Sequence, residues 1–159
     1  MKKIILSAII AASALTSVAS HAANKPETAQ FQVKITVAES CKITTKSDVD
    51  FSVIDRSTNV DSIANGQLNV ICTLNTPYEI ALAGTGAMSN INKTSQSKVP
   101  YKLYQDAARK TEWGATANNK LVGAGTGNDQ AIPVYAKLDG NTNVEAGNYV
   151  DTVVATVTY

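Results

Sequence analysis

The chain has one histidine, two cysteines, one tryptophan and no apolar run long enough to cross a bilayer, and each scarcity removes a class of function. The histidine, His21, lies in a stretch with the layout of a secretory signal peptide. Lys2 and Lys3 precede an apolar run from Ile4 to Ala12, and small residues lead to Ser20-His21-Ala22. Residues 1–22 are therefore expected to be cut away after Ala22. The mature chain then holds no imidazole, which excludes Ser-His triads, Cys-His pairs and histidine-based metal sites. No Gly-x-Ser-x-Gly is present either, so the reading is that of a non-enzyme without cofactor or metal.

Charge is also sparse. Acidic and basic residues make up 17% of the chain, below the usual quarter. Loss of Lys2 and Lys3 leaves 12 basic against 13 acidic residues, a net charge near −1. That balance is no footprint for nucleic acid or an anionic membrane, and no direct membrane insertion is expected. The two cysteines, Cys41 and Cys72, sit in a chain expected to pass through an oxidising compartment, where an even pair forms a disulfide. Closing a loop of that length stabilises a fold by roughly 3–4 kcal/mol.

What remains is alternation. Apolar residues recur with a period of two, and no segment of ten or more shows helical spacing, so the chain is expected to be all-β. Candidate strands cover 42–45, 49–54, 67–74, 78–83, 99–105, 131–138 and 148–159. Gly, Asn, Asp and Ser clusters such as Asn65-Gly66, Gly84-Thr85-Gly86, Gly123 to Asp129 and Asp139-Gly140-Asn141 punctuate them. About seven short strands with one bridge between an early strand and the next describe a β-sandwich. The ends are the most regular parts. Ala29, Phe31, Val33, Ile35 and Val37 alternate with Thr28, Gln30, Gln32, Lys34 and Thr36, and Val153, Ala155, Val157 and Tyr159 form a second stripe. Each needs a surface to bury one face. Pattern alone leaves open whether that surface is the chain's own sandwich or a partner.

The alternating segment running into Ala38-Glu39-Ser40-Cys41, the second cysteine in Gly66-Gln67-Leu68-Asn69-Val70-Ile71-Cys72, the run Tyr101 to Arg109, the strand Ile132-Pro133-Val134-Tyr135-Ala136 and the ending Ala146 to Tyr159 together resemble the spore coat protein U family, and within it the pilins of archaic chaperone-usher pili. The resemblance covers the mature chain. It implies an immunoglobulin-like sandwich that lacks its last strand. A periplasmic chaperone fills the gap first, and then the N-terminal extension of another subunit does, by donor-strand exchange. On this reading residues 1–22 are the signal peptide, 23–37 the donor-strand extension and 38–159 the pilin domain. Ala29, Phe31, Val33, Ile35 and Val37 are the donor residues, and Val153, Ala155, Val157 and Tyr159 form the groove wall and chaperone-docking edge. The implied partners are copies of itself or sibling pilins, the chaperone and an outer-membrane usher. The implied location is a pilus reached through the periplasm, serving adhesion and biofilm formation. The alternative within the family is a self-contained secreted coat or matrix protein.

The remaining signals read as structural. Gly123-Ala124-Gly125-Thr126-Gly127 places its third glycine one residue too soon for a dinucleotide fingerprint and is read as a loop. Asn92-Lys93-Thr94 matches a glycosylation sequon by pattern only. Asp48, Asp50, Asp55 and Asp61 lack calcium-loop spacing, and Asp48 and Asp50 are expected to face solvent beside Val49 and Phe51. Asp106-Ala107-Ala108-Arg109 is read as a stabilised turn, and Trp113 as a half-buried core anchor. The bridge is tested directly by mass. Reduction of the mature protein is expected to add two hydrogens, whereas two alkylatable thiols in the unreduced native protein would contradict the pairing.

Overall fold

In the computed structural model, residues 24–54, 62–92, 96–138 and 143–159 are described. The expected signal peptide, Asp55, Asp61, the Lys93-Thr94 part of the sequon and the Asp139-Gly140-Asn141 turn lie outside the described residues. The chain falls into two units, 1–35 and 36–159. In the first, residues 24–35 form no strand and every one of them is exposed.

The second unit is all-β. Its strands are β1 (Cys41–Ser47), β2 (Ile63–Cys72), β3 (Pro77–Ala83), β4 (Ala87–Asn90), β5 (Lys98–Tyr104), β6 (Leu121–Ala124), β7 (Asp129–Leu138), β8 (Tyr149–Val150) and β9 (Val154–Thr158). One sheet has the order β1-β2-β7-β5-β4-β8 and the other β6-β3-β9, with every pairing antiparallel. The longest ladder joins β2 to β7, from Ile63 opposite Lys137 to Ile71 opposite Asp129. Leu68, Val70 and Cys72 of β2 and Val134 of β7 point inward and meet Tyr78, Ile80 and Leu82 of β3. The residues between them on β2 point outward, as a period of two requires.

The cysteines are cross-strand neighbours. Cys41 opens β1, lies opposite Cys72 at the end of β2, and is bonded to it with a Cα–Cα distance of 4.1 Å. Trp113 is a fuller anchor than its sequence context suggests. It is 4% exposed, packs into the main core, and donates its indole N–H to the Ile80 carbonyl at 2.8 Å. That bond satisfies the one polar group the ring carries inward. The Asp106 to Arg109 turn forms as expected, with the Asp106 carboxylate accepting from the Thr111 amide at 2.7 Å. The Arg109 amide closes the turn by donating to the Asp106 carbonyl at 3.0 Å, but its side chain points away from the Asp106 carboxylate. Its guanidinium donates to the Ala136 carbonyl and to Asn65 Oδ1 and lies over the Tyr135 ring, tying β2 to β7 at their solvent face.

Several expected strands differ. Residues 49–54 are not a strand; Ser52 adopts a left-handed φ of 58° and breaks their alternation. The expected strand 148–159 is two strands in different sheets, β8 and β9. Residue Asp151 accepts the Thr152 amide on its own side chain between them, at the point where the chain changes sheets. Strands β4 and β6 lack strong patterns and are fixed by their neighbours. The glycine run begins inside β6, where a Cβ on Gly123 would lie 2.5 Å from the Tyr78 ring, so any larger residue there would have to displace that buried ring.

Candidate functional site: an apolar groove between two sheet edges

Two strands end their sheets on the same side of the sandwich. β1 pairs with β2 alone and β9 with β3 alone, so among the described residues neither has a ladder partner on its outer flank. Between them lies a groove of about 590 Å³. Its β1 side is formed by Ile43, Thr45, Ser47 and Val49, and its β9 side by Val153 and Ala155. The floor is apolar: Leu68, Leu82, Leu103 and Val134, with Met88, Phe51 and Tyr149 towards one end. A missing inner strand leaves this geometry, a trough lined by side chains with unpaired backbone donors and acceptors on both rims.

One polar node is built into the trough. Asp151 accepts a hydrogen bond from the Tyr101 hydroxyl, another from the Thr85 amide at 2.9 Å and a third from the Thr152 amide at 3.0 Å. Burial alone would raise the Asp151 carboxyl, but the bonds from Tyr101, Thr85 and Thr152 outweigh it and hold it below the usual carboxylate range. Burial, and then the neighbouring Asp151 charge and hydrogen bond, raise the Tyr101 phenol, which stays a donor. The node fixes residues 151–153 at the entry to β9 and so sets the position of one rim.

The sequence-derived site residues fall as follows. Val153 and Ala155 line the groove, Val157 packs half-buried against the main core, and Tyr159 is mostly exposed. Ala29, Phe31, Val33, Ile35 and Val37 belong to no strand, and Phe31 is 86% exposed with Val33 and Ile35 at 88%. The β1 rim, Ile43 and Val49 above all, was not anticipated as a wall. Its signal was the alternation of Cys41, Ile43 and Thr45, which marks one inward face of an edge strand. Asp48 and Asp50 are exposed, and among the described residues no three His, Cys, Asp or Glu side chains come together as metal ligands. No helix among those residues is long and apolar enough to cross a membrane.

These features define an open, incomplete β-sandwich of the immunoglobulin-like kind, with a disulfide between the neighbouring strands β1 and β2 of one sheet and, among the described residues, no strand between the β1 and β9 edges. The chain belongs to the spore coat protein U domain family, whose model matches residues 27–156. It is 34% identical over 118 residues to Protein U of Myxococcus xanthus, covering 67% of this chain and 66% of that protein. Its fold is like that of a chain in a chaperone-tip adhesion subunit pre-assembly complex from archaic chaperone-usher Csu pili of Acinetobacter baumannii. The TM-score is 0.58 at 22% identity, over 78% of this chain and 41% of that one. The chain thus spans about two thirds of its curated relative and under half of the solved one.

The polar node yields a pH-dependent test. A carboxyl depressed in the folded state contributes stability above its unfolded value, about 3.9, and that contribution is lost as pH falls through the folded value. Asp151→Asn is expected to lower stability by on the order of 1–2 kcal/mol at pH 7, with the gap to wild type closing in urea unfolding below about pH 3. An unchanged gap at pH 7 and pH 3 would contradict the charge-based account of the node.

Proposed function

We propose that this protein is a structural subunit of an archaic chaperone-usher pilus. Residues 23–37 of one copy are its donor extension, and residues 38–159 are the domain whose groove receives the extension of another copy. The observation that carries this reading is a complementarity within one chain. A groove with an apolar floor and two unpaired rims accompanies a segment that alternates apolar and polar residues, belongs to no strand and exposes its apolar side chains. Strand addition to an open sheet joins the two by main-chain bonds along both rims and by side chains seated in the floor.

The magnitudes support an essentially permanent joint. Burying Phe31, Val33, Ile35 and Val37 at about 1.5–3 kcal/mol each yields on the order of 6–12 kcal/mol before ordering costs. The same open rims are an aggregation hazard while empty, which is the physical reason for a periplasmic chaperone to lend a strand before an outer-membrane usher passes the subunit on. Export through a signal peptide at 1–22 and final residence in a surface fibre follow from this reading, with adhesion and biofilm formation as the outcome.

A second reading has one observation in its favour, the 34% identity to Protein U. A secreted coat or matrix protein of that kind uses residues 29–37 to close its own sandwich. The two readings part at Val33 and Ile35. Either residue changed to Asp puts an unpartnered carboxylate into the groove that receives it, at a cost of several kcal/mol. For a pilus subunit, fibres are expected to vanish while chaperone-bound subunit accumulates at normal levels. A subunit degraded despite its chaperone would instead mean that the segment closes its own domain.

A further inference from the structure

The chain enters β1 under restraint. The Thr73 hydroxyl accepts from the Ser40 amide at 3.1 Å and donates to the Ala38 carbonyl at 3.3 Å, while the Thr73 amide donates to the Ser40 carbonyl at 2.9 Å. Cys41 follows, bonded to Cys72. The alternating apolar stripe ends at Val37, one residue before the first of these clamped groups. Consecutive Cα atoms lie about 3.8 Å apart. With Val37 in the groove of one copy and Ala38 held against the other, no free linker separates the two domains, and they must abut.

The ladders decide which surfaces meet. β1 starts at Cys41, opposite Cys72, and runs away from the turn that joins β2 to β3. β9 runs towards that turn, with Val154 opposite Ala83 and Thr158 opposite Glu79. A strand between them is therefore parallel to one and antiparallel to the other. Inserted antiparallel to β1, residues 29–37 would finish at the Cys41 end of the receiving domain, the two Cys41 ends would face each other, and the copies would close as a reciprocal pair. Inserted parallel to β1, they finish at the opposite end, where Phe51, Met88, Tyr149 and Val150 line the groove, and the assembly stays open to further copies. A fibre needs the second arrangement, in which the Cys41 end of one copy meets the Phe51 end of the next.

The surface of the Cys41 end is two loops bonded into one platform. The Asn75 amide donates to the Gly125 carbonyl and the Gly125 amide to the Thr76 carbonyl, both at 2.8 Å, and the Gly127 amide donates to the Cys72 carbonyl at 3.0 Å. A Cβ on Gly125 would lie 2.1 Å from the Thr73 carbonyl oxygen, so any other residue there would push the loops apart. On this platform Leu74, one residue from the clamp, is 64% exposed. A lone exposed leucine is ordinary on a protein surface, but this one sits where the neighbouring domain must press. Across the joint, Val150 is 59% exposed at the end of the groove.

We propose that the 73–76 and 125–127 loops form a second contact between successive copies. Thr73 fixes the chain where it enters its domain, and Leu74 packs on the groove end that Phe51, Met88, Tyr149 and Val150 line in the copy receiving the strand. This contact rests on the donor-strand reading above and adds to it: the joint is a stiff two-part interface and not a strand on a loose tether.

Photo-crosslinking in fibres assembled from equal parts of light and heavy-isotope chains tests this, because a crosslink of mixed mass joins two copies. Leu74→p-benzoylphenylalanine is expected to give mixed-mass crosslinks to residues 51, 88, 149 and 150. The same probe in place of Phe31 reports the donor strand itself and is expected to give mixed-mass crosslinks to the groove floor. Thr73→Val, which keeps the volume but loses both hydroxyl bonds, is expected to shorten the bending persistence length of the fibre several-fold, and an unchanged length would overturn the clamp. A position-74 probe that joins no second copy, or joins its Cys41 end, while the position-31 probe joins copies, would overturn this inference and leave the donor-strand reading intact. A position-31 probe joined to the groove of its own chain would overturn both.

Discussion

The structure depends on one unmet constraint: two edge strands, β1 and β9, face each other across an apolar floor with, among the described residues, no strand between them. A closed sandwich hides its floor under inward side chains and its edges under ladder bonds. Here both are left open, and the rest of the domain reads as reinforcement of the two rims. β1 has a single ladder, and the Cys41–Cys72 bridge locks its first residue to the end of β2. Beside the bridge, the Thr73 amide donates to the Ser40 carbonyl and the Thr73 hydroxyl accepts from the Ser40 amide, so the chain entering β1 is held as well. β9 also has a single ladder, and its entry is fixed by the bonds that Asp151 accepts from Tyr101 and Thr85. Trp113 packs in the same core cluster as the floor residues Leu68, Leu82 and Val134 and is anchored by its bond to Ile80, in the middle of β3.

The scarcity of charge follows from the same constraint. Of the two carboxylates that line the groove, Asp48 is exposed, whereas the partly buried Asp151 accepts three hydrogen bonds that offset its desolvation. Lys102 to Glu112 and Lys120 to Glu79 are ion pairs at the surface, where such pairs contribute little. Family membership and fold are consistent with a binding surface made of backbone and apolar side chains, which needs neither imidazole nor metal.

Much of this was legible in the sequence because strands that bury one face must alternate. The all-β class, the cysteine pair, the approximate extents of β2, β3, β5 and β7 and the inward stripe of β9 all follow from periodicity and turn residues. The errors arise where local conformation or a partner decides. Residues 49–54 alternate as a strand would, yet Ser52 holds a left-handed φ, with its amide donating to Asp50 Oδ1, and the alternation ends there. The C-terminal run looked continuous because Asp151 is one polar residue in an apolar pattern, and its role as acceptor for three distant or local donors is visible only in three dimensions. β6 depends on Gly123 fitting against Tyr78, a contact between residues far apart in sequence. The β1 rim was missed because an edge strand that awaits a partner has the same pattern as one already paired.

The most direct measurement is a density map of the assembled fibre at a resolution that traces the backbone. The account predicts that the chain leaves each domain before Cys41 and that its residues 29–37 lie between β1 and β9 of the neighbouring domain, hydrogen-bonded to both. Residues 29–37 lying between β1 and β9 of their own domain would contradict it.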